Sequence, residues 1–198
     1  MIDEKQIEFF SKNGAIFLKG YFTDWIEVLK SGIEKLINNP SPRERSYTPK
    51  DGTAPFFQDL CNWQRIPEFE EFIFNSDIGE VASKLMQSNV SRFFHDHVLV
   101  KEPGSSIVTP WHQDQSYYCT SGNQTISFWI PLDNISLNNT LSCISGSHKW
   151  GKLHKPKRFD GTDLFENDNS EDVPDIDNNL DKYEILSWPM EPGDAIGF

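Results

Sequence analysis

The chain has 198 residues, 37% hydrophobic and 13% aromatic, which allows one domain with a sizeable core. A net charge of −12 and a pI near 4.8 argue against nucleic-acid or anionic-membrane partners, because both repel an acidic surface. No stretch approaches the about 20 apolar residues of a membrane span, the start Met1-Ile2-Asp3-Glu4-Lys5 has no signal-peptide pattern, and Cys61, Cys119 and Cys143 lack C-x-x-C spacing, so they read as reduced thiols in a cytoplasmic protein.

The first part, about residues 1–89, reads mostly as helix. Asp3 with Gln6 forms a capping box for a short helix ending at Asn13-Gly14. Ala15–Leu18 is a short apolar strand. Asp24 with Glu27 opens a second helix with Ile26, Leu29, Ile33 and Leu36 on one face, and Asn38-Asn39-Pro40 ends it. Residues 40–55 are polar and Pro-rich and read as a loop. Pro67 suits the first turn of a third helix through about Asn75. Asp77 and Glu80 begin a fourth, with Ile78, Val81, Ala82, Leu85 and Met86 inward.

From about residue 90 the period changes to two. His95, His97, Leu99 and Lys101 share one strand face, and Phe94, Asp96, Val98 and Val100 the other. Further strands are expected at 106–112, 125–132, 141–145, 183–188 and 194–198, separated by turns such as Ser121-Gly122-Asn123 and Asn138-Asn139. Helices first and strands later predict an α+β fold. Residues 160–184 carry ten acidic residues and one lysine, after a basic cluster of Lys149, Lys152, Lys155, Lys157 and Arg158. This insertion reads as a mobile acidic loop, either a lid or plain solvated surface.

The chemistry concentrates at Thr109-Pro110-Trp111-His112-Gln113-Asp114-Gln115. On a strand, residues i and i+2 share a face with Cα atoms about 6.6 Å apart. His112 and Asp114 placed so can converge on one metal ion, and a distant third His would complete the 2-His-1-carboxylate triad of non-haem Fe(II) oxygenases. The same pair can also be a plain hydrogen-bonded His–Asp contact, and H-x-D recurs by chance in many sequences.

Several blocks together resemble the phytanoyl-CoA dioxygenase family of Fe(II)/2-oxoglutarate oxygenases. They are His95–Gly104, the segment TPWHQDQSYY from Thr109 to Tyr118, Ser127–Asp133, the turn Ser145-Gly146-Ser147-His148-Lys149, and Glu191–Ile196. The resemblance spans nearly the whole chain and implies a double-stranded β-helix, or jelly roll, over about 90–198, within a single 1–198 domain. It implies Fe(II) ligated by His112 and Asp114, with 2-oxoglutarate as cosubstrate and Trp129 and His97 lining its pocket. It also implies hydroxylation of a small organic or acyl substrate, because related halogenases lack the carboxylate that Asp114 supplies.

The family's distal iron-binding His and its 2-oxoglutarate Arg lie beyond the strand that here ends at Phe198. The third ligand is therefore expected to be absent from this chain, which reads as a fragment with its last barrel strands missing. The Gly193–Phe198 strand is then expected to have an unpaired edge and the chain to aggregate. His148 and His154 are substitute ligands to be tested, as is His95-x-His97, although the SGSH turn is structural and remote from iron in the family. Lys101 faces the pocket mouth or solvent, and solvent is the plainer reading. Gln113 supports the metal strand, and Tyr117 or Tyr118 closes over substrate or packs. The other function classes are a non-catalytic jelly-roll binding protein that has lost the triad, and a hydrolase or isomerase with a cupin-like metal site.

Overall fold

A computed structural model describes residues 2–198. Helix α1 (Glu4–Asn13) starts at the capping box, with the Gln6 N–H donating to Asp3 Oδ1 at 2.8 Å and the Asp3 N–H to Gln6 Oε1 at 3.0 Å. It stops at Gly14, whose φ of +79° suits glycine and lets its N–H reach the Phe10 carbonyl at 2.7 Å. Helix α2 (Ile26–Asn38) is not capped by Asp24, which instead lies inside a preceding 3-10 turn, Thr23–Trp25. Helix α3 (Pro67–Asn75) has its proline in the first turn, and α4 (Ile78–Leu85) buries Val81, Ala82 and Leu85. Gly32 in α2 is a packing requirement, since a Cβ there would stand 2.6 Å from the Phe69 ring of α3.

Among the described residues seven short strands form three antiparallel sheets. Strand β1 (Ile16–Leu18) and β4 (Phe128–Trp129) flank β7 (Ala195–Gly197), in the order β1-β7-β4. The expectation of an open edge on the last strand is therefore wrong. Leu18 pairs with Ala195 on one side and Trp129 with Ile196 on the other, and Ser127 and Phe198 exchange backbone hydrogen bonds at 2.8 and 3.0 Å. Strand β2 (Phe56–Leu60), which directly follows the expected 40–55 loop and was not expected, pairs with β3 (His97–Lys101). Strands β5 (Ser142–Ile144) and β6 (Ile185–Ser187) make the third sheet.

One core cluster joins β1, β7 and the helices through Ile16, Leu18, Phe22, Phe72, Val81, Leu85 and Ala195. A second lies between α2, α3 and the β2–β3 sheet, around Leu36, Ile66, Phe69 and Val98. Two further devices tie distant segments. The fully buried Asp59 carboxylate accepts from the Ser41 N–H, the Ser41 hydroxyl and the Leu60 N–H at 2.6–2.8 Å. Asp194 accepts from the Gly20 N–H at 2.7 Å and the Glu191 N–H at 2.8 Å.

The 145–149 turn docks onto the C-terminus of α1. The Gly146 N–H donates to the Asn13 carbonyl at 2.7 Å, His148 Nε2 to the Ser11 carbonyl at 3.1 Å, and Lys149 Nζ to the Lys12 carbonyl at 2.9 Å. These are the carbonyls a helix leaves unpaired at its end. The acidic segment 160–184 is less free than its composition suggests. Glu171, Asp163 and Asp172 pair with Lys152, Lys155 and Lys157 of the preceding basic cluster, and Asp177–Lys182 forms a 3-10 turn. Among the described residues no helix is long and apolar enough to cross a membrane.

Candidate metal centre

The strand expected over 106–112 does not form. Residues 106–113 join no ladder, and Asp114–Tyr117 is a 3-10 turn. Pro110 has no N–H to give a neighbouring strand, and side chains hold the segment instead. The Trp111 indole donates to Asp177 Oδ1 at 2.8 Å. Gln113 points away from the metal pair, as expected, and stitches a neighbouring loop: its Nε2 donates to the Lys152 carbonyl at 3.2 Å, and its Oε1 accepts from the His154 N–H at 2.8 Å.

His112 and Asp114 meet without a regular strand. His112 Nδ1 donates to the Pro110 carbonyl at 2.8 Å, and Nε2 lies 3.1 Å from Asp114 Oδ1. The second carboxylate oxygen accepts from the Ser127 hydroxyl at 2.5 Å and the Tyr118 hydroxyl at 3.1 Å. With its hydrogen on Nδ1, the neutral ring presents a lone pair on Nε2 towards a carboxylate oxygen. Two acceptors at that distance need a cation between them, either a proton or a metal. Burial disfavours charge on His112, but its bonds to Asp114 and Pro110 outweigh that and raise its pKa. Burial likewise opposes the Asp114 charge, and bonds from His112, Ser127 and Tyr118 hold its pKa below the ordinary value. The pair is about one-quarter exposed, 28% and 27%, so an ion can reach it.

The surrounding faces converge on this pair. On β4, Phe128 packs into the core, so Ser127 and Trp129 lie on the opposite face, and Ser127 already touches Asp114. His97 on β3 bonds Gln58 Oε1 through Nε2 at 3.0 Å. Burial lowers the pKa of both His95 and His97, and both feel the Asp114 charge. His95 and Phe94 pack edge-on against the Tyr118 ring at 5.3 and 5.2 Å, and Tyr117 packs edge-on against His112 at 5.6 Å. Burial pushes the Cys143 thiol up to about 12, which marks it as a packing residue.

No third His, Cys, Asp or Glu joins this pair in a metal-holding group among the described residues. His148 is spent on the end of α1. His154 is 2% exposed, donates from Nδ1 to the Asp172 carbonyl at 3.0 Å, and packs against Trp150. The donors present fit one edge of an iron facial triad and stop there. Ser127 was missed as a site residue, and Tyr118, expected to close over substrate or to pack, instead helps Ser127 orient the carboxylate. The alternation of Ile126, Phe128 and Ile130 as core residues was the available signal for Ser127.

A profile of the phytanoyl-CoA dioxygenase (PhyH) family matches residues 10–198. The chain belongs to this family. A curated phytanoyl-CoA dioxygenase from Arabidopsis thaliana is 29% identical over 101 residues, a match that takes in 50% of this chain and 35% of that protein. The chain thus spans about a third of the curated relative it matches. Among solved structures, the non-haem α-ketoglutarate-dependent carbocyclase SnoK from nogalamycin biosynthesis superposes with a TM-score of 0.76 at 16% identity, over 99% of this chain and 74% of that one. The epimerase SnoN, solved with Fe³⁺, α-ketoglutarate and nogalamycin RO, gives 0.71 at 14% identity, over 98% and 72%. EvdO2 from Micromonospora carbonacea var. aurantiaca, complexed with 2-oxoglutarate, gives 0.65 at 19% identity, over 100% and 80%. These likenesses establish the expected fold, an α+β jelly roll with N-terminal helices.

Proposed function

We propose that the protein is an Fe(II)- and 2-oxoglutarate-dependent dioxygenase that hydroxylates a small organic or acyl substrate. The observation that carries this reading is the 3.1 Å approach of His112 Nε2 to Asp114 Oδ1, with the other atoms of both side chains already tied down. His112 and Asp114 would hold the iron. Ser127 and Tyr118 fix the carboxylate's orientation, and the Pro110 carbonyl fixes the imidazole tautomer. Trp129 and His97 would line the 2-oxoglutarate pocket from β4 and β3. When bound, iron and 2-oxoglutarate supply the O₂-derived oxidant for C–H hydroxylation. The chain's own task is to hold ligands open on one side and to exclude water. A carboxylate at position 114 supports hydroxylation over halogenation. No third His, Cys, Asp or Glu completes the set with His112 and Asp114 among the described residues.

The test is succinate formation from 2-oxoglutarate, with and without Fe(II), in this chain and in a chain extended past Phe198. The extended protein should turn over only with iron, and Asp114→Ala should abolish turnover. The short chain should bind iron weakly and stay inactive. Full activity of Asp114→Ala would refute the ligand assignment. The second reading, a jelly-roll binding protein without catalysis, draws on the absence of a third donor among the described residues. It predicts no iron-dependent succinate from either the short or the extended chain.

A further inference from the structure

We infer that Trp111, Gln113 and Tyr117 are positioning residues, through which the segment 152–177 takes the place of the sheet neighbour that the metal motif lacks. Docking of that segment and loading of the metal pair therefore favour each other, a step that rests on the oxygenase reading.

Sites on strands are better defined than sites on loops, because the ladder fixes the backbone. His112 and Asp114 have no ladder. Residues 106–113 lie outside every strand, and Asp114 opens a 3-10 turn. Gln113 has an extended backbone, with φ −116° and ψ 124°, so its side chain projects opposite to those of His112 and Asp114. Its carboxamide donates to the Lys152 carbonyl at 3.2 Å and accepts from the His154 N–H at 2.8 Å. Those are the two groups, on either side of Leu153, that a parallel strand neighbour would engage. On the other side of His112, the Trp111 indole donates to Asp177 Oδ1 at 2.8 Å. Tyr117, which packs edge-on against the His112 ring, donates its hydroxyl to the Lys157 carbonyl at 2.6 Å and accepts from the Lys157 N–H at 3.0 Å.

The receiving segment is itself anchored. His154 and Ile176 are each only 2% exposed. His154 Nδ1 donates to the Asp172 carbonyl at 3.0 Å and the Lys155 N–H to the Glu171 carbonyl at 2.9 Å, which joins the run 152–157 to the run 171–177. The five bonds from the motif thus land on one connected unit, four of them on its main chain. Main-chain groups cannot swing away as the tips of exposed ion pairs can. These bonds carry the attachment, and the pairs of Lys152, Lys155 and Lys157 with Glu171, Asp163 and Asp172 add little.

An untethered motif would have to be ordered by the metal itself, and the lost chain entropy would weaken metal binding. With the segment docked, that ordering is done beforehand. Linkage makes the effect reciprocal: a metal that binds the docked state better must also hold the segment docked. The acidic segment is then a strap on the metal motif, and its contacts tune the affinity of ligands it never touches.

Amide hydrogen exchange of the full 198-residue chain, metal-free and with Ni(II), tests this. Trp111→Phe, Gln113→Met and Tyr117→Phe each remove polar atoms and keep most of the bulk. Four amides bond only to backbone carbonyls of their own segment: Ser116 and Tyr118 in the motif, Lys155 and Leu164 in the strap. Without metal, each variant should speed exchange at all four about three- to tenfold, while Phe22 and Val81 in the core keep wild-type rates. Ni(II) should slow Lys155 and Leu164 in the wild type. Each variant should bind Ni(II) about three- to tenfold more weakly, a smaller loss than removing a group bonded to a ligand. Exchange that quickens in the strap alone, equal quickening at Phe22 and Val81, or Ni(II) affinity unchanged in all three variants overturns the proposal. A wild type that takes up no Ni(II), but whose four amides still respond together, refutes the metal reading and retains the strap.

Discussion

Two polar clusters in this molecule each contain a histidine and are solved in opposite ways. In the 145–149 turn, the histidine, the lysine and a glycine N–H each find a backbone carbonyl at the end of α1. In the 110–118 segment, the outward atoms of His112 and Asp114 are bound, and the inward atoms are left facing each other across 3.1 Å. A cluster whose polar atoms all meet backbone is holding the chain together. A cluster that spends its bonds on fixing direction, and aims two acceptors at one point, is waiting for a cation. Both contain a histidine beside small polar residues, and only their bonding partners tell them apart.

Ser127→Ala sharpens the contrast most. It removes the short bond that fixes Asp114 and should lower metal affinity about 10- to 100-fold while leaving thermal stability nearly unchanged. Titration with Ni(II) or Fe(II), alongside a thermal melt, checks both halves. A large loss of stability with unchanged metal affinity would make the pair a structural contact like the turn.

The reverse pattern is expected of Gly14→Ala. Its φ is +79°, and a Cβ would lie 2.2 Å from His148 Nδ1, so the turn must shift off α1. Destabilisation of about 1–3 kcal/mol is expected, without effect on metal affinity. Denaturant unfolding measures the first and metal titration the second.

The smallest effect is a pH dependence. Burial raises the Asp59 pKa, but the Ser41 and Leu60 donors outweigh it and the net shift is downward. The stabilisation is therefore present above the ordinary value of 3.8 and lost as pH falls through the lower folded value. Acid titrations of unfolding for the wild type and Asp59→Asn should converge in that range. Curves that stay parallel to the lowest pH would assign the acid loss to other carboxylates.

What could be read in advance follows the range of the forces involved. The helices were legible because their signals are local: the Asp3–Gln6 box, Gly14, Pro67, and a regular apolar face. The capping role given to Asp24 failed because a 3-10 turn takes that residue in before α2 begins. Strand β2 was missed because neither of its faces is fully exposed and it carries a buried Asp59, so no alternation marks it. The strand placed over 106–112 failed at Pro110, and side-chain bonds from Trp111 and Gln113 took over. The pairing of His112 with Asp114 was legible from spacing and family motif, although the backbone that delivers it is a turn. The ring cluster of Tyr47, Phe56 and Phe159 was not legible, because these residues come together only in three dimensions.

The seating of β7 between β1 and β4 has a consequence for how the molecule is made. The Gly20 N–H finds its partner Asp194 only 174 residues later, and among the described residues β1 has no strand beside it other than β7. On a ribosome, the N-terminal helices emerge long before the strand that closes their sheet. Ile16, Leu18 and Phe22 lack their Ala195 contact throughout that interval. Pairings of such long range close slowly and leave apolar surface open to other chains meanwhile. The protein therefore depends on a late clasp, and conditions that slow elongation or remove chaperones should reduce its yield before they touch its stability.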